Sequence, residues 1–317
     1  MTDVSAAAPI PCTPTGLGLD RQQEAAEIAL RHNPLNHRHA HRLRTLRPDF
    51  QPTAENIAVM TTRYWKSGGV ALTVGFLDGP EQALRDRILL HMNAWASACG
   101  RTANIVFTES RVDPQVRIAR AETGHWSYIG TDILLIDKDK PTMNLQAFTM
   151  DTPDAEFHRV VRHETGHTLG CPHEHMRADL VALIDPDKAI AWYGATQGWS
   201  PDQTREQVLT PLDDAMLWKT SASDGDSIMC YQIPAALTKN GVAITGGTDI
   251  DPSDADFIAM VYPGAPHAAA APVASADVAD ASGHGGIVLR LPSGATLRLA
   301  PEVTQAQLTT VLAALKG

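Results

Sequence analysis

A chain of 317 residues with 44% hydrophobic and 20% charged side chains has the balance of an ordinary soluble globular protein, with room for one sizeable core and a small appendage. A formal charge of -10 argues against a dedicated nucleic-acid binder, which needs clustered Lys and Arg in excess to neutralise phosphates. The four cysteines Cys12, Cys99, Cys171 and Cys230 are too few for a disulfide scaffold and lack zinc-knuckle spacing.

The chain starts without a basic segment, and residues 6–10 are too short and weakly apolar for a secretory leader. No transmembrane run follows. The expectation is a cytoplasmic protein or one exported by another route, although a chain already stripped of a leader would read the same. Residues 1–55, rich in Pro, Ala and His, read as an extension with one short helix over residues 22–31. Its basic stretch from Arg31 to Arg47 is expected to be a solvated face or a docked arm.

A globular domain is expected over residues 56–264. Val70–Phe76 alternates as a strand, and residues 81–98 place Leu84, Ile88, Met92 and Trp95 on one helical face. Residues 104–107, 116–119 and 133–136 read as further short strands. Thr152 and Pro153 open a helix that should run to Leu169 and end at Gly170, while Ser200, Pro201 and Gln203 open another. Strand, helix, several strands and helix in that order imply an α+β layer. Residues 265–286 are an Ala/Pro/Gly-rich linker, and residues 287–317 a small tail of one hairpin and one short helix.

The chemistry is concentrated in residues 163–173, His-Glu-Thr-Gly-His-Thr-Leu-Gly-Cys-Pro-His. Histidines four apart on a helix share a face, so His163 and His167 can reach one Zn2+ at about 2.0–2.1 Å. Glu164 is then turned toward the metal's water rather than the metal. Gly170 breaks the helix so that the chain can return with His173 as third nitrogen ligand, leaving the fourth position open for catalysis. One catalytic Zn2+ is expected, and His125 and His158 are expected to be ordinary polar residues.

With residues 227–231, Ser-Ile-Met-Cys-Tyr, this segment resembles the metzincin superfamily, in which a tight turn carries a methionine beneath the metal. Glu174, followed by His175, Arg177 and Asp179, matches the astacin-like branch, and the resemblance to bacterial astacin-like peptidases spans about residues 63–263. Trp65, residues 72–78, Trp95 and residues 126–130 carry it further. The resemblance implies a two-lobed zincin domain that cleaves internal peptide bonds in proteins or peptides. It implies Glu164 as general base, Tyr231 as a mobile fifth ligand that stabilises the oxyanion, and Met229 as the floor of the site. A core tyrosine remains the alternative for Tyr231. On the same analogy Asn144, Leu145, Gln146, Ala147 and Phe148 would form the edge strand that pairs with substrate. Glu174 would hold a buried partner, either a mature amino terminus or a local group such as Arg177.

Two departures stand out. Cys230 replaces the family's histidine before the switch tyrosine, and the two-disulfide framework that animal members carry beside a secretory propeptide is missing, while residues 1–55 could serve as a pro or latency segment. Cys12, in a Pro-rich segment ahead of the domain, could bind the open zinc position as a latency thiol, the alternative being an inert thiol. Cys171 and Cys230 flank the motif elements and could bridge. A zinc-bound module without turnover, or a zinc hydrolase acting on a non-peptide substrate, remain the rival functions.

Overall fold

The computed structural model describes residues 12, 15–37, 61–66, 68–100, 103–211, 225–263, 287–290 and 296–299. The expected helix of the tail, the linker and the basic residues from 38 onward lie outside them. The chain divides into two units, Met1–Ala265 and Pro266–Gly317.

The first unit begins with helix α1 (Gln22–His32), which buries Ala25, Ala26 and Ala29. Strand β1 (Val70–Phe76) follows, with Val70, Leu72 and Val74 buried. The helical run expected over residues 81–98 is broken into α2 (Gln82–Met92) and α3 (Ala94–Ala98). Asn93 causes the break. Its side-chain amide donates to the Phe107 carbonyl at 2.9 Å and accepts from the Phe107 amide at 2.9 Å, binding that residue as a neighbouring strand would. Leu84, Ile88, Met92 and Trp95 are nevertheless buried together, as their spacing requires.

Strands β2 (Ile105–Glu109), β3 (Val116–Ala119), β4 (His125–Ser127) and β5 (Met143–Leu145) complete one sheet in the order β2-β1-β3-β5-β4. Only β4 runs antiparallel, pairing Trp126 with Asn144. The strand expected over residues 133–136 is instead part of a 3-10 turn, Gly130–Leu135. The apolar run there is pinned by Arg63 rather than by a strand: the Thr131 amide donates to the Arg63 carbonyl at 2.9 Å, and Asp132 pairs with Arg63 at 2.7 Å. Gly130 has φ +49°, and a Cβ on it would lie 1.9 Å from the Arg63 carbonyl oxygen, so only glycine fits.

Helix α4 covers residues 154–168, passing through a π turn at Phe157–Val161 before the regular segment Arg162–Thr168. Thr152 does not cap it, since the first helical turn follows Pro153 without a side-chain cap. The remaining helices are α5 (Ala178–Val181), α6 (Pro186–Gln197), α7 (Pro201–Thr204) and α8 (Pro252–Val261). Ser200 accepts from the Gln203 amide at 3.1 Å to open α7, and Asp251 with Asp254 forms a full capping box for α8.

Two apolar cores result. The larger joins the sheet to α2, α3, α4 and α8 through Trp95, Ile118, Met143, Phe157 and Ile258. The smaller gathers Leu180, Ile184, Tyr193, Val208 and Ile233. This is an α+β arrangement with two cores, and α4 packs in the larger one. Among the described residues no helix is long and apolar enough to cross a membrane. The second unit contains strands β6 (Ile287–Arg290) and β7 (Thr296–Leu299), an antiparallel hairpin pairing Ile287 with Leu299.

Candidate metal centre

The end of α4 fixes the local geometry. Gly170, at φ +104°, closes a Schellman motif: its amide donates to the His167 carbonyl at 2.8 Å, and the Cys171 amide donates to the Gly166 carbonyl at 3.0 Å. The chain reverses there. Its return brings the Cys171 carbonyl to 2.7 Å from His167 Nδ1 and swings His173 back over the helix.

His163, His167 and His173 are all buried, and their Nε2 atoms converge: 3.1 Å from His163 to His173 and 3.0 Å from His167 to His173. His163 Nδ1 lies 2.6 Å from the Ile228 carbonyl. A carbonyl only accepts, so the Nδ1 atoms of His163 and His167 carry the protons and their Nε2 lone pairs face the common point. Burial lowers the pKa of all three rings, that of His167 to about 4, which keeps them in the neutral form a metal needs. Converging lone pairs without enough protons between them fit a cation. A tetrahedral zinc site with bonds of 2.0–2.1 Å has nitrogen–nitrogen edges of about 3.3 Å, close to what these rings present.

Cys12 completes the cluster. Its Sγ lies 3.4 Å from His167 Nε2 and 3.5 Å from Glu164 Oε2, and its ligand atom and those of the three histidines fall within 4.8 Å of one another. Glu164 is fully buried, and burial pushes its carboxyl up to about 8. The Tyr231 hydroxyl donates to the Cys12 carbonyl, and its ring stacks on His175 at 4.0 Å and 15°. His175 is itself held by the Gln207 carbonyl at 3.2 Å. Its place as the platform beneath Tyr231 was not legible from spacing, because the contact joins segments far apart in sequence.

Met229 lies under the helix. A Cβ on Gly166 would come 2.3 Å from Met229 Sδ, so the helix turn between the two histidines rests directly on the methionine. The turn carrying Met229 is tied to the metal loop by the Glu174 amide, which donates to the Met229 carbonyl at 2.8 Å. The Glu174 carboxylate pairs with the neighbouring Arg177 at 2.9 Å. None of the four cysteines forms a disulfide, so Cys171 and Cys230 do not bridge.

The edge-strand expectation for Asn144 to Phe148 is corrected. β5 lies inside the sheet between β3 and β4, and Asn144, Leu145 and Phe148 are buried. Asn144 donates to the Glu122 and Gly124 carbonyls at 2.8 and 2.6 Å, and Gln146 accepts from the Gly124 amide at 2.7 Å. These bonds shape the loop into β4, which is the edge. Ala147 adopts φ +57° as the chain leaves the sheet. Sequence reasoning missed β4 because its three residues are set by pairing with β5, not by their own pattern. A cavity of about 140 Å³ opens beside the site, lined by His125, Arg159, Glu164, Trp192 and Tyr231 among others.

No family model matches the chain. It is 33% identical to myroilysin in a solved structure, over 63% of this chain and 96% of that one, with a TM-score of 0.58. The chain belongs to the astacin-like family of metzincin zinc metallopeptidases. Among curated proteins it is similar to the zinc metalloproteinase nas-27 of Caenorhabditis elegans, 33% identical over 104 residues that make up 32% of this chain. The chain spans about a fifth of that relative, 21% of its length. The Cys230 thiol, next to Tyr231 in sequence, donates to the Tyr231 carbonyl at 3.6 Å.

Proposed function

We propose that this protein is a zinc-dependent endopeptidase that hydrolyses internal peptide bonds, with His163, His167 and His173 holding one zinc ion. The observation that carries the reading is the convergence of three neutral imidazole nitrogens at 3.0–3.1 Å beside a buried carboxylate. Zinc bound there would supply Lewis acidity to the scissile carbonyl and to the attacking water. Glu164, buried beside the three imidazoles, accepts a proton from that water and delivers it to the leaving amine. The Tyr231 hydroxyl donates to the oxyanion, steadied by its stacking on His175. Met229 and Gly170 hold the helix and turn in register, and Glu174 with Arg177 holds the loop after His173.

An extended substrate adds to the open edge of β4, the position that the backbone of Cys12 occupies through its bridge to His125. Cys12 acts as a latency thiol. Its sulfur stands at the distance a fourth donor takes, for a zinc–sulfur bond of 2.3 Å gives a sulfur–nitrogen edge of about 3.5 Å, and its carbonyl occupies the Tyr231 hydroxyl.

The experiment is cleavage of a quenched peptide library by activated wild type and by Glu164→Ala. Turnover by wild type that falls at least about a hundredfold in the variant supports the reading. Equal rates would remove Glu164 from the chemistry, and no turnover by either would favour a zinc-bound module without catalysis.

A further inference from the structure

A second group of metal-ligating side chains lies where the end of α2 meets the first turns of α4. His91, Asp154 and His158 bring their ligand atoms within 4.8 Å of one another. Asp154 and His158 stand four apart on α4, on one side of the helix, and His91 reaches them from α2. The Asp154 carboxylate joins the two rings: Oδ1 lies 3.5 Å from His91 Nε2 and Oδ2 lies 3.3 Å from His158 Nε2. A tetrahedral ion with bonds of about 2.0–2.2 Å has ligand–ligand edges of about 3.3–3.6 Å, the spacing these atoms already hold.

The hydrogen bonds around the group favour a cation. His158 Nδ1 lies 2.8 Å from Asp249 Oδ2, and a carboxylate only accepts, so that nitrogen carries a proton. In the neutral ring Nε2 then turns a lone pair toward Asp154, two acceptors with a cation's place between them. An imidazole whose other nitrogen donates to a carboxylate is the arrangement that orients a histidine toward zinc. His91 is buried, and burial, then the charges of Arg162 and His158, lower its pKa to about 4, so it offers a neutral ring. Asp154 has 66% of its side chain open to solvent, which leaves room for water to complete the shell.

The neighbouring arginines have anchors of their own. Arg87 donates to Asp154 Oδ1 and to the Met150 carbonyl, both at 3.0 Å, and lies over the Phe157 ring at 3.9 Å. Arg162 pairs with Asp249 and reaches His91 Nδ1 and His158 Nε2 only at 3.4 Å. An ion held by the two Nε2 atoms displaces those long contacts. The His91 ring proton moves from Nε2 to Nδ1, and Arg162 keeps Asp249.

We propose that His91, Asp154 and His158 form a second, structural zinc site that clamps α2 to α4, with Asp249 orienting His158. Two imidazoles and a carboxylate are a donor set that suits zinc. The clamp falls on the same helix that carries His163 and Glu164, and it does not depend on the peptidase reading. Open to solvent, it binds more weakly than the buried three-histidine centre and empties on desalting. His158, an ordinary polar residue by its sequence context, becomes a ligand.

The test is calorimetric titration of Zn2+ into the full chain, desalted with its catalytic zinc in place. One further equivalent is expected, weaker than the first. Asp154→Asn and His158→Gln should each lower its affinity at least about tenfold, the loss that even an outer partner of a ligand causes. At free zinc a hundredfold above that Kd, the Tm of wild type should rise by about 5 °C or more, and the Tm of the two variants should not. No further equivalent in wild type, or one that both substitutions leave unchanged, overturns the site. His167→Ala keeps the two centres apart: the weak equivalent should bind it with unchanged affinity, and its disappearance there would assign that zinc to the three-histidine centre instead.

Discussion

Asp254 accepts a hydrogen bond from the Ser227 hydroxyl at 2.5 Å, and its other oxygen accepts from the Ile228 amide at 2.9 Å. Burial pushes the Asp254 carboxyl up to about 7, against these donors, which favour the anion. The Ile228 carbonyl then holds His163 Nδ1, so a residue on α8 orients a ring of the metal cluster through one turn. Asp254→Asn presents an amide to groups that are themselves donors. It should weaken zinc binding by about 10–100-fold, measured by competition with a chelator, and lower the Tm. Unchanged metal affinity would show that the turn holds its shape without Asp254.

Gly170→Ala tests the turn that returns His173. At φ +104° a side chain is strained, and its Cβ would lie 2.7 Å from the Tyr64 ring. A loss of about 1–3 kcal/mol in stability is expected, read by chemical denaturation of the metal-loaded protein. A variant as stable as wild type would mean that the Schellman turn relaxes without cost.

Cys12→Ser should raise the peptidase activity of the untrimmed chain. The serine hydroxyl is a poor zinc donor beside a thiolate, so the open position would be exposed to water before processing. If the untrimmed variant is no more active than the untrimmed wild type, the thiol does not govern latency.

His91 provides a pH dependence away from the metal. Burial, then the charges of Arg162 and His158, lower its pKa to about 4, while Asp154 opposes them and Arg87 adds to them. An unfolded histidine titrates near 6.5. Between those values the unfolded chain binds a proton that the folded chain refuses, so stability present above about pH 6.5 is lost as pH falls toward 4. Replacing His91 with Gln should make the Tm fall less between pH 7 and pH 4.5 than it does in wild type. Equal falls would contradict the assignment of that slope to His91.

What the sequence revealed was set by local spacing. The two histidines four apart, the glycine that ends their helix and the third histidine are close neighbours in the chain, so helix geometry alone predicts that they meet. The α+β class and the buried face of α2 and α3 were legible for the same reason. Long-range pairing was not. Which strand forms the edge depends on β5 inserting between β3 and β4, and the three residues of β4 carry no alternation that announces it. The apolar residues 133–136 read as a strand, and Arg63, which pairs with Asp132 from 69 residues away in sequence, holds them in a turn instead. Asn93 and Asn36 act through backbone partners far along the chain, so neither the split of α2 from α3 nor the integration of α1 into the domain was visible in composition.

The central claim is that His163, His167 and His173 bind one zinc ion. Zinc content of the purified protein, measured by mass spectrometry of the element beside that of His167→Ala, tests it most directly. The account predicts about one zinc per chain in wild type, with the fourth position open once the Cys12 segment is gone, and a loss of most of it in the variant, whose Met229 and Asp254 are intact. Zinc retained at the same stoichiometry in His167→Ala would contradict the site.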